Sequence, residues 1–123
     1  MGRSPVSARL VIVAIPATQE TKKTPIGTVL RLQYRTRYVI GRPPDACGAV
    51  RDDVEGILFA LDGLSRVTAR LEPEPGSWRV TDAGSTSGTF VNDVDARKGI
   101  VLVHGDVIRF GEFLQLRFES DWR

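Results

Sequence analysis

The chain has 123 residues, of which 41% are hydrophobic and 26% charged, so it is large enough for one globular domain with a single core. Its formal net charge of +2 is too small to indicate nucleic-acid binding by itself. A single cysteine, Cys47, and a single histidine, His104, exclude an internal disulfide framework and a Cys/His metal cluster.

The N-terminal third is basic and begins with an apolar run. Residues 1–42 carry eight Lys or Arg against one Glu, whereas the rest of the chain carries nine basic and fourteen acidic side chains. The run 10–15 superficially resembles a signal peptide, but it is short and β-branched, and we interpret it as the first strand. No segment is long enough to span a membrane, so we expect a cytoplasmic protein.

In chain order, residues 1–8 are predicted to be a tail and residues 9–120 to form the domain. Short alternating or β-branched runs bounded by Gly and Pro are typical of strands. Strands are predicted at 9–15, 28–33, 38–42, 57–61, 64–71, 77–82, 89–92, twice within 102–111, and at 113–118. Turns are predicted at 73–76 and 93–99.

About ten to eleven short strands without a helical period predict an all-β fold, an antiparallel β-sandwich or a barrel. Alternation predicts which side chains face the core. In the second strand Val29 is expected inside, with Leu30 or Leu32 as further candidates, and in the fourth strand Ile57, Phe59 and Leu61 are expected on one face.

A Gly/Ser/Thr-rich stretch at 82–92 joins two of these strands. Hydroxyl side chains donate hydrogen bonds, and glycines allow positive φ and close approach of another molecule. Such a turn suits an anion, although an ordinary hairpin has the same composition. The hydroxyl residues are Ser85, Thr86 and Ser87, and the glycines are Gly84 and Gly88.

Two further strand ends carry arginines. Arg42 follows Gly41 where two prolines stop the third strand, and Ser65 and Arg66 lie at the start of the strand 64–71. A strand-end arginine is either a solvated charge or a planar fork that binds carboxylate or phosphate bidentately. Both interpretations remain open from these residues alone.

Four sequence blocks, in order, resemble the forkhead-associated (FHA) domain, a β-sandwich that recognises phosphothreonine peptides. The resemblance covers about residues 29–118. Each block alone is a weak signal, but together they are specific. The blocks are Tyr38-Val-Ile-Gly-Arg42, Leu64-Ser-Arg66, Ser85-Thr-Ser-Gly-Thr-Phe-Val-Asn92, and the Gly105-Asp106 and Phe110-Gly111 pairs within 102–111.

The resemblance implies a phosphate site assembled from several loops. Arg42 and Ser65 would hold the phosphate, Arg66 would add charge beside it, and Thr86 would donate from the central turn. Ser87 stands where the family usually has an asparagine that hydrogen-bonds the peptide backbone. A phosphothreonine, with three acceptor oxygens and up to two negative charges, suits these donors.

The resemblance also implies residues that shape the loops without touching ligand. These residues are Gly41, Gly88 and Asn92, together with Thr68, which replaces the family's bracing histidine. The connection between Arg42 and Ser65 is longer than is usual in the family.

We therefore predict a phosphothreonine-binding module whose partner is a phosphorylated protein, such as a Ser/Thr kinase or its substrate. The replacements at Thr68 and Ser87 leave a second hypothesis, an FHA-like scaffold that binds partners without phosphate. An enzyme is the remote alternative, since neither His104 nor Cys47 has an evident catalytic partner. We expect no cofactor, metal, nucleic acid or membrane ligand, and the oligomeric state is not predicted.

Overall fold

A computed structural model of the chain describes residues 8–15, 26–42, 54–59, 67–111 and 114–121. These residues form eleven β-strands in two sheets, with no helix among them. The strands are β1 (Ala8–Ala14), β2 (Val29–Leu32), β3 (Arg37–Gly41), β4 (Val54–Leu58), β5 (Val67–Glu74), β6 (Ser77–Asp82), β7 (Thr89–Val91), β8 (Val94–Asp95), β9 (Ile100–Val101), β10 (Val107–Phe110) and β11 (Leu114–Ser120).

The first sheet has six antiparallel strands in the order β2-β1-β11-β10-β7-β8. Its register places Leu10 of β1 opposite both Leu30 of β2 and Phe118 of β11. On β11 the residues Leu114, Leu116 and Phe118 are buried and alternate with partly exposed neighbours. This period of two directs one face of the sheet to the core.

The second sheet has five strands in the order β4-β3-β5-β6-β9. The predicted β-sandwich is confirmed, but β3 and β4 run parallel, the one such pair among the described strands. Parallel neighbours cannot be joined by a tight turn, and the connection from Gly41 to Val54 is correspondingly long. Alternation along the sequence does not reveal this direction.

Both sheets contribute large side chains to one core. Trp78 and Val80 of β6 and Ile40 of β3 are fully buried, as are Leu116 and Phe118 of β11. The free energy gained from this burial is about 25 cal/mol per Å² of apolar surface, and it is the main stabilisation of such a fold.

Several strand boundaries differ from the sequence predictions. β4 begins at Val54 rather than at residue 57, and β5 continues to Glu74, so the turn after it contains only the two residues 75 and 76. The predicted polar turn 93–99 contains β8, and the strand before the Gly105-Asp106 turn is β9, which ends before Leu102.

The predicted inward direction of Val29 is wrong. Its side chain is 44% exposed, whereas Leu32 on the same strand is buried. Ile57 and Phe59 are buried as predicted, and Leu61 lies outside the described residues.

The register of the second sheet brings three chain segments to one end of the sandwich. Gly41 at the end of β3 lies opposite Val67 at the start of β5, and Ala69 lies opposite Asp82 at the end of β6. The Ala83 N–H donates to the Thr68 carbonyl at 2.9 Å, which ties the chain after β6 to β5. The chain leaves β3 and β6, and enters β5, side by side at this end.

Candidate functional site

Arg42 follows the last residue of β3 at this end. Gly41 is buried, and its carbonyl accepts a hydrogen bond of 2.9 Å from the Phe59 N–H, which fixes the backbone just before the arginine. The Arg42 side chain is partly exposed, and within the described parts of the chain it has no hydrogen bond or ion pair. A guanidinium carries five N–H donors, which suit a phosphate or carboxylate.

The Asp82 carboxylate organises the loop that follows β6. Oδ2 accepts hydrogen bonds from the backbone N–H groups of Gly84 at 3.0 Å and Ser85 at 3.1 Å. Oδ1 accepts from the Thr89 hydroxyl at 2.7 Å and from the Ser85 hydroxyl. One side chain thus connects the beginning of the loop to the first residue of β7.

Ser85 carries this connection further along the loop. Its Oγ accepts a 2.9 Å hydrogen bond from the Gly88 N–H while its own hydroxyl donates to Asp82. The Ser85 hydroxyl, one of the three hydroxyls noted in the sequence of this loop, is therefore engaged inside the loop.

These contacts set the electrostatics of Asp82. Burial alone would raise the pKa of the carboxyl, but hydrogen bonds from the Ser85 and Thr89 hydroxyls and from two backbone N–H groups outweigh burial and lower the pKa. The carboxylate is therefore ionised near neutral pH, and it is a hydrogen-bond acceptor only.

Gly88 closes the loop against β7. Its φ is +87°, and a Cβ at this position would lie 2.7 Å from Cε2 of the Phe90 ring. The Gly88 carbonyl accepts from the Gly111 N–H at 3.0 Å, which joins the loop to the end of β10. The Arg109 guanidinium carbon lies over the Phe90 ring, 4.4 Å from its centroid.

Asn92 lies at the other end of β7, in a turn where it and Asp93 both have positive φ. Its Nδ2 donates to Asp106 Oδ1 at 2.8 Å, and its Oδ1 accepts from the Val107 N–H at 3.0 Å. The second Asp106 oxygen accepts from the Val103 N–H at 2.8 Å. The Asn92 amide therefore joins the turn to the start of β10 and does not face the Arg42 end.

The predicted site residues divide into three groups. Arg42, Thr86 and Ser87 lie on segments at the same end of the sandwich, and Thr86 and Ser87 are exposed. Thr68 is buried, and its carbonyl holds Ala83. Ser65 and Arg66 lie outside the described residues, directly before Val67 in the sequence.

Sequence reasoning missed Asp82 and Ser85 as the residues that fix the loop. A signal was present, since an aspartate followed two and three residues later by small residues is typical of a side-chain-capped turn.

A surface groove of about 490 Å³ lies at the opposite end of the sandwich, beside exposed Val101 and Val103. Here His104 Nδ1 accepts from the Ser120 N–H at 3.1 Å, and the Ser77 hydroxyl donates to the Leu102 carbonyl. Both groups are thus used in contacts with the backbone. This arrangement gives no support to an enzymatic nucleophile and base in the groove.

Two negative findings apply to the described residues alone. They contain no cluster of three His, Cys, Asp or Glu side chains that could hold a metal ion. No helix within these ranges is long and apolar enough to cross a membrane. Cys47 lies outside them.

Comparison with known proteins agrees with this geometry. A family model described as FHA domain matches residues 38–111, which is more than half of the chain. The chain belongs to the FHA domain family. FHA domains are protein-interaction modules rather than enzymes.

Two solved FHA structures are similar over nearly the whole chain. The FHA domain of an Arabidopsis thaliana hypothetical protein is 28% identical with a TM-score of 0.70, and the match covers 97% of this chain and 92% of that one. An FHA domain from a structural and functional study of phosphothreonine-dependent interactions is 23% identical with a TM-score of 0.61, covering 92% and 95%. At that identity the second comparison shows the fold alone.

A bacterial protein named as an enzyme inhibitor is similar to part of this chain. The oxoglutarate dehydrogenase inhibitor of Corynebacterium diphtheriae is 34% identical over 77 residues, which are 63% of this chain. The chain spans about half of that relative, 52% of its length.

Proposed function

We propose that this chain is a phosphopeptide-binding module that recognises phosphothreonine on a partner protein through the loops at the Arg42 end. The observation that carries the proposal is the sheet register, which brings the end of β3, the start of β5 and the loop after β6 together. The partly exposed Arg42 guanidinium, which has no partner within the described residues, supports the proposal with a positive charge at this end. The phosphothreonine-dependent interactions studied for a related FHA domain support the choice of ligand.

Each binding residue has a role that its chemistry allows. Arg42 and Ser65 would bind the phosphate oxygens, Arg66 would add positive charge, and Thr86 would donate from the loop. Ser87 would contact the peptide backbone. Because kinases form phosphothreonine, we propose a Ser/Thr kinase or its substrate as the partner, in the cytoplasm.

A second candidate function is a scaffold that binds a partner without phosphate. The position of Ser87 favours it, because this exposed serine is shorter than the usual asparagine and lacks the amide's combined donor and acceptor. The two functions differ in their dependence on phosphate, on Arg42 and on ionic strength.

Calorimetric titration with a degenerate phosphothreonine peptide library and its unphosphorylated twin separates the two candidates. Charge-assisted hydrogen bonds contribute about 1.5–3 kcal/mol each, so Arg42→Ala should weaken phosphopeptide binding by about one to two decades. Arg31→Ala, which removes the same charge from an exposed position on β2, is the matched control and should retain binding.

Equal binding of the phosphorylated and unphosphorylated libraries, unaffected by Arg42→Ala, would establish the scaffold instead. Binding that weakens equally in both arginine variants would indicate general charge attraction rather than a phosphate pocket.

A further inference from the structure

The loop between β6 and β7 is held by one carboxylate that lies below its exposed residues. We propose that Asp82 is the positioning residue of the phosphopeptide site: with Ser85, it holds residues 84–88 in the shape that presents Thr86 and Ser87 to the ligand. Asp82 does so without touching the ligand itself. This inference rests on the proposed function.

The acceptor positions of the Asp82 carboxylate are fully occupied within the loop. Two oxygens offer about four acceptor positions, and four donors fill them: two backbone N–H groups, from Gly84 and Ser85, and two hydroxyls, from Ser85 and Thr89. Thr89 is buried, so this end of the arrangement is anchored in the sandwich. No acceptor position remains for a ligand.

The same hydrogen bonds engage several N–H and O–H donors of the loop. The N–H groups of Gly84, Ser85 and Gly88 and the Ser85 hydroxyl all bond within the loop. Thr86 and Ser87, between Ser85 and Gly88, are exposed, and Ser87 has no hydrogen-bond partner in the described part of the chain. The internal bonds therefore determine which residues are presented outward.

The negative charge of Asp82 and its positioning of the loop predict opposite effects of removing this residue on phosphopeptide affinity. An ionised carboxylate in a loop that receives a phosphate repels it, so charge alone predicts that removing Asp82 strengthens binding. Positioning predicts the opposite, because a loop without its internal acceptor must be ordered when the ligand binds, at the expense of affinity. The two expectations differ in sign.

The test compares Asp82→Ala, Asp82→Asn and Ser85→Ala in the full chain. Asp95→Ala is the matched control, since Asp95 is an exposed carboxylate of the same charge that accepts from the Arg97 N–H at 2.8 Å in another turn. Affinity for the phosphothreonine library is measured by calorimetry. Hydrogen exchange of the Gly84, Ser85 and Gly88 amides is measured by NMR without peptide, and thermal unfolding is recorded for each variant.

We expect Asp82→Ala to weaken phosphopeptide binding about tenfold or more, with faster exchange of those amides and unchanged exchange in β11. Asp82→Asn should recover part of the affinity, because its amide oxygen still accepts from two N–H groups. Ser85→Ala should release the Gly88 amide, and Asp95→Ala should change neither measurement.

Tighter or unchanged binding by folded Asp82→Ala would overturn the inference, as would unchanged exchange of the Gly84 and Ser85 amides. If Asp82→Ala does not fold, Ser85→Ala decides by the same measurements at Gly88. If the wild-type chain binds no phosphopeptide, the proposed function fails separately. Faster exchange of the Gly84, Ser85 and Gly88 amides in the variants would then still support the role of Asp82 and Ser85 in holding the loop. Unchanged exchange of these amides would reject that role.

Discussion

At the residue scale, Ser87 is an exposed residue of the loop after β6. By the family resemblance it would take the place of an asparagine, and its hydroxyl reaches less far than an amide. We expect Ser87→Asn to tighten phosphopeptide binding about two- to tenfold, the effect of one neutral hydrogen bond of about 0.5–1.5 kcal/mol.

Titration of wild type and Ser87→Asn with the same phosphopeptide measures this difference. Ser87→Ala is the control, because it removes the hydroxyl without adding an amide and should bind no more tightly than wild type. Weaker binding by Ser87→Asn would contradict this expectation and would show that the larger side chain is not accommodated at this position in the complex.

The same scale shows what could be predicted from single residues. The position of Arg42 at a strand end followed from Gly41 before it and the two prolines after it. The use of Ser85 inside the loop did not follow, because residue type indicates which hydrogen bonds are possible but not which of several acceptors is reached. Asp82 is two to seven residues from its donors, and only the folded loop brings all of them to one carboxylate.

At the element scale, the packing of the loop on β7 depends on Gly88. A side chain here meets both a positive φ and the Phe90 ring at 2.7 Å. We expect Gly88→Ala to lower the free energy of unfolding by about 2–4 kcal/mol, from backbone strain and overpacking together.

Gly105→Ala isolates the backbone part of that effect. Gly105 has a φ of +93°, but no atom lies within 4 Å of a Cβ built there, so only about 1 kcal/mol should be lost. Urea unfolding of both variants measures the difference. Equal losses would mean that the Phe90 ring moves aside without cost.

Strands in which apolar and polar residues strongly alternate could be predicted from the sequence. Very short strands, and the direction of pairing between strands far apart in the sequence, could not. β11 was identified because apolar residues occupy every second position. β8 was missed because it has only two residues, both exposed, and follows a turn that Asn92 and Asp93 form without glycine. The parallel pairing of β3 with β4 requires a long connection between them. The alternation of side chains along a strand does not show in which direction its neighbour runs.

At the scale of the whole molecule, ionised carboxylates link stability to pH. The pKa of Asp82 is lowered by the bonds described above, and hydrogen bonds from Arg117 and Arg9 lower the pKa of Glu119. A carboxyl whose pKa is lower in the folded state stabilises the fold above its unfolded pKa, about 3.9 for Asp and 4.3 for Glu. That contribution is lost as pH falls through the folded-state value.

We therefore expect the free energy of unfolding to fall as pH decreases from about 5 to about 3. Urea unfolding across this range measures the fall, and Asp82→Asn should reduce it by removing one of the linked groups. A stability that stays constant down to about pH 3 would contradict the two lowered pKa values.

The convergence of Arg42 with the loop after β6 was expected only through the family resemblance. Each strand end was visible in the sequence, but their common position depends on the register among β3, β5 and β6. Register is determined by long-range pairing and by the burial of one face, so it cannot be read from any single strand.

NMR mapping of the isotopically labelled chain with a phosphothreonine peptide library and its unphosphorylated twin tests the proposed site most directly. We expect chemical-shift changes at Arg42, Thr86 and Ser87 with the phosphorylated library alone, and none around Val103 at the opposite end. Equal changes with both libraries, or changes confined to the Val103 end, would contradict a phosphate-reading site at Arg42.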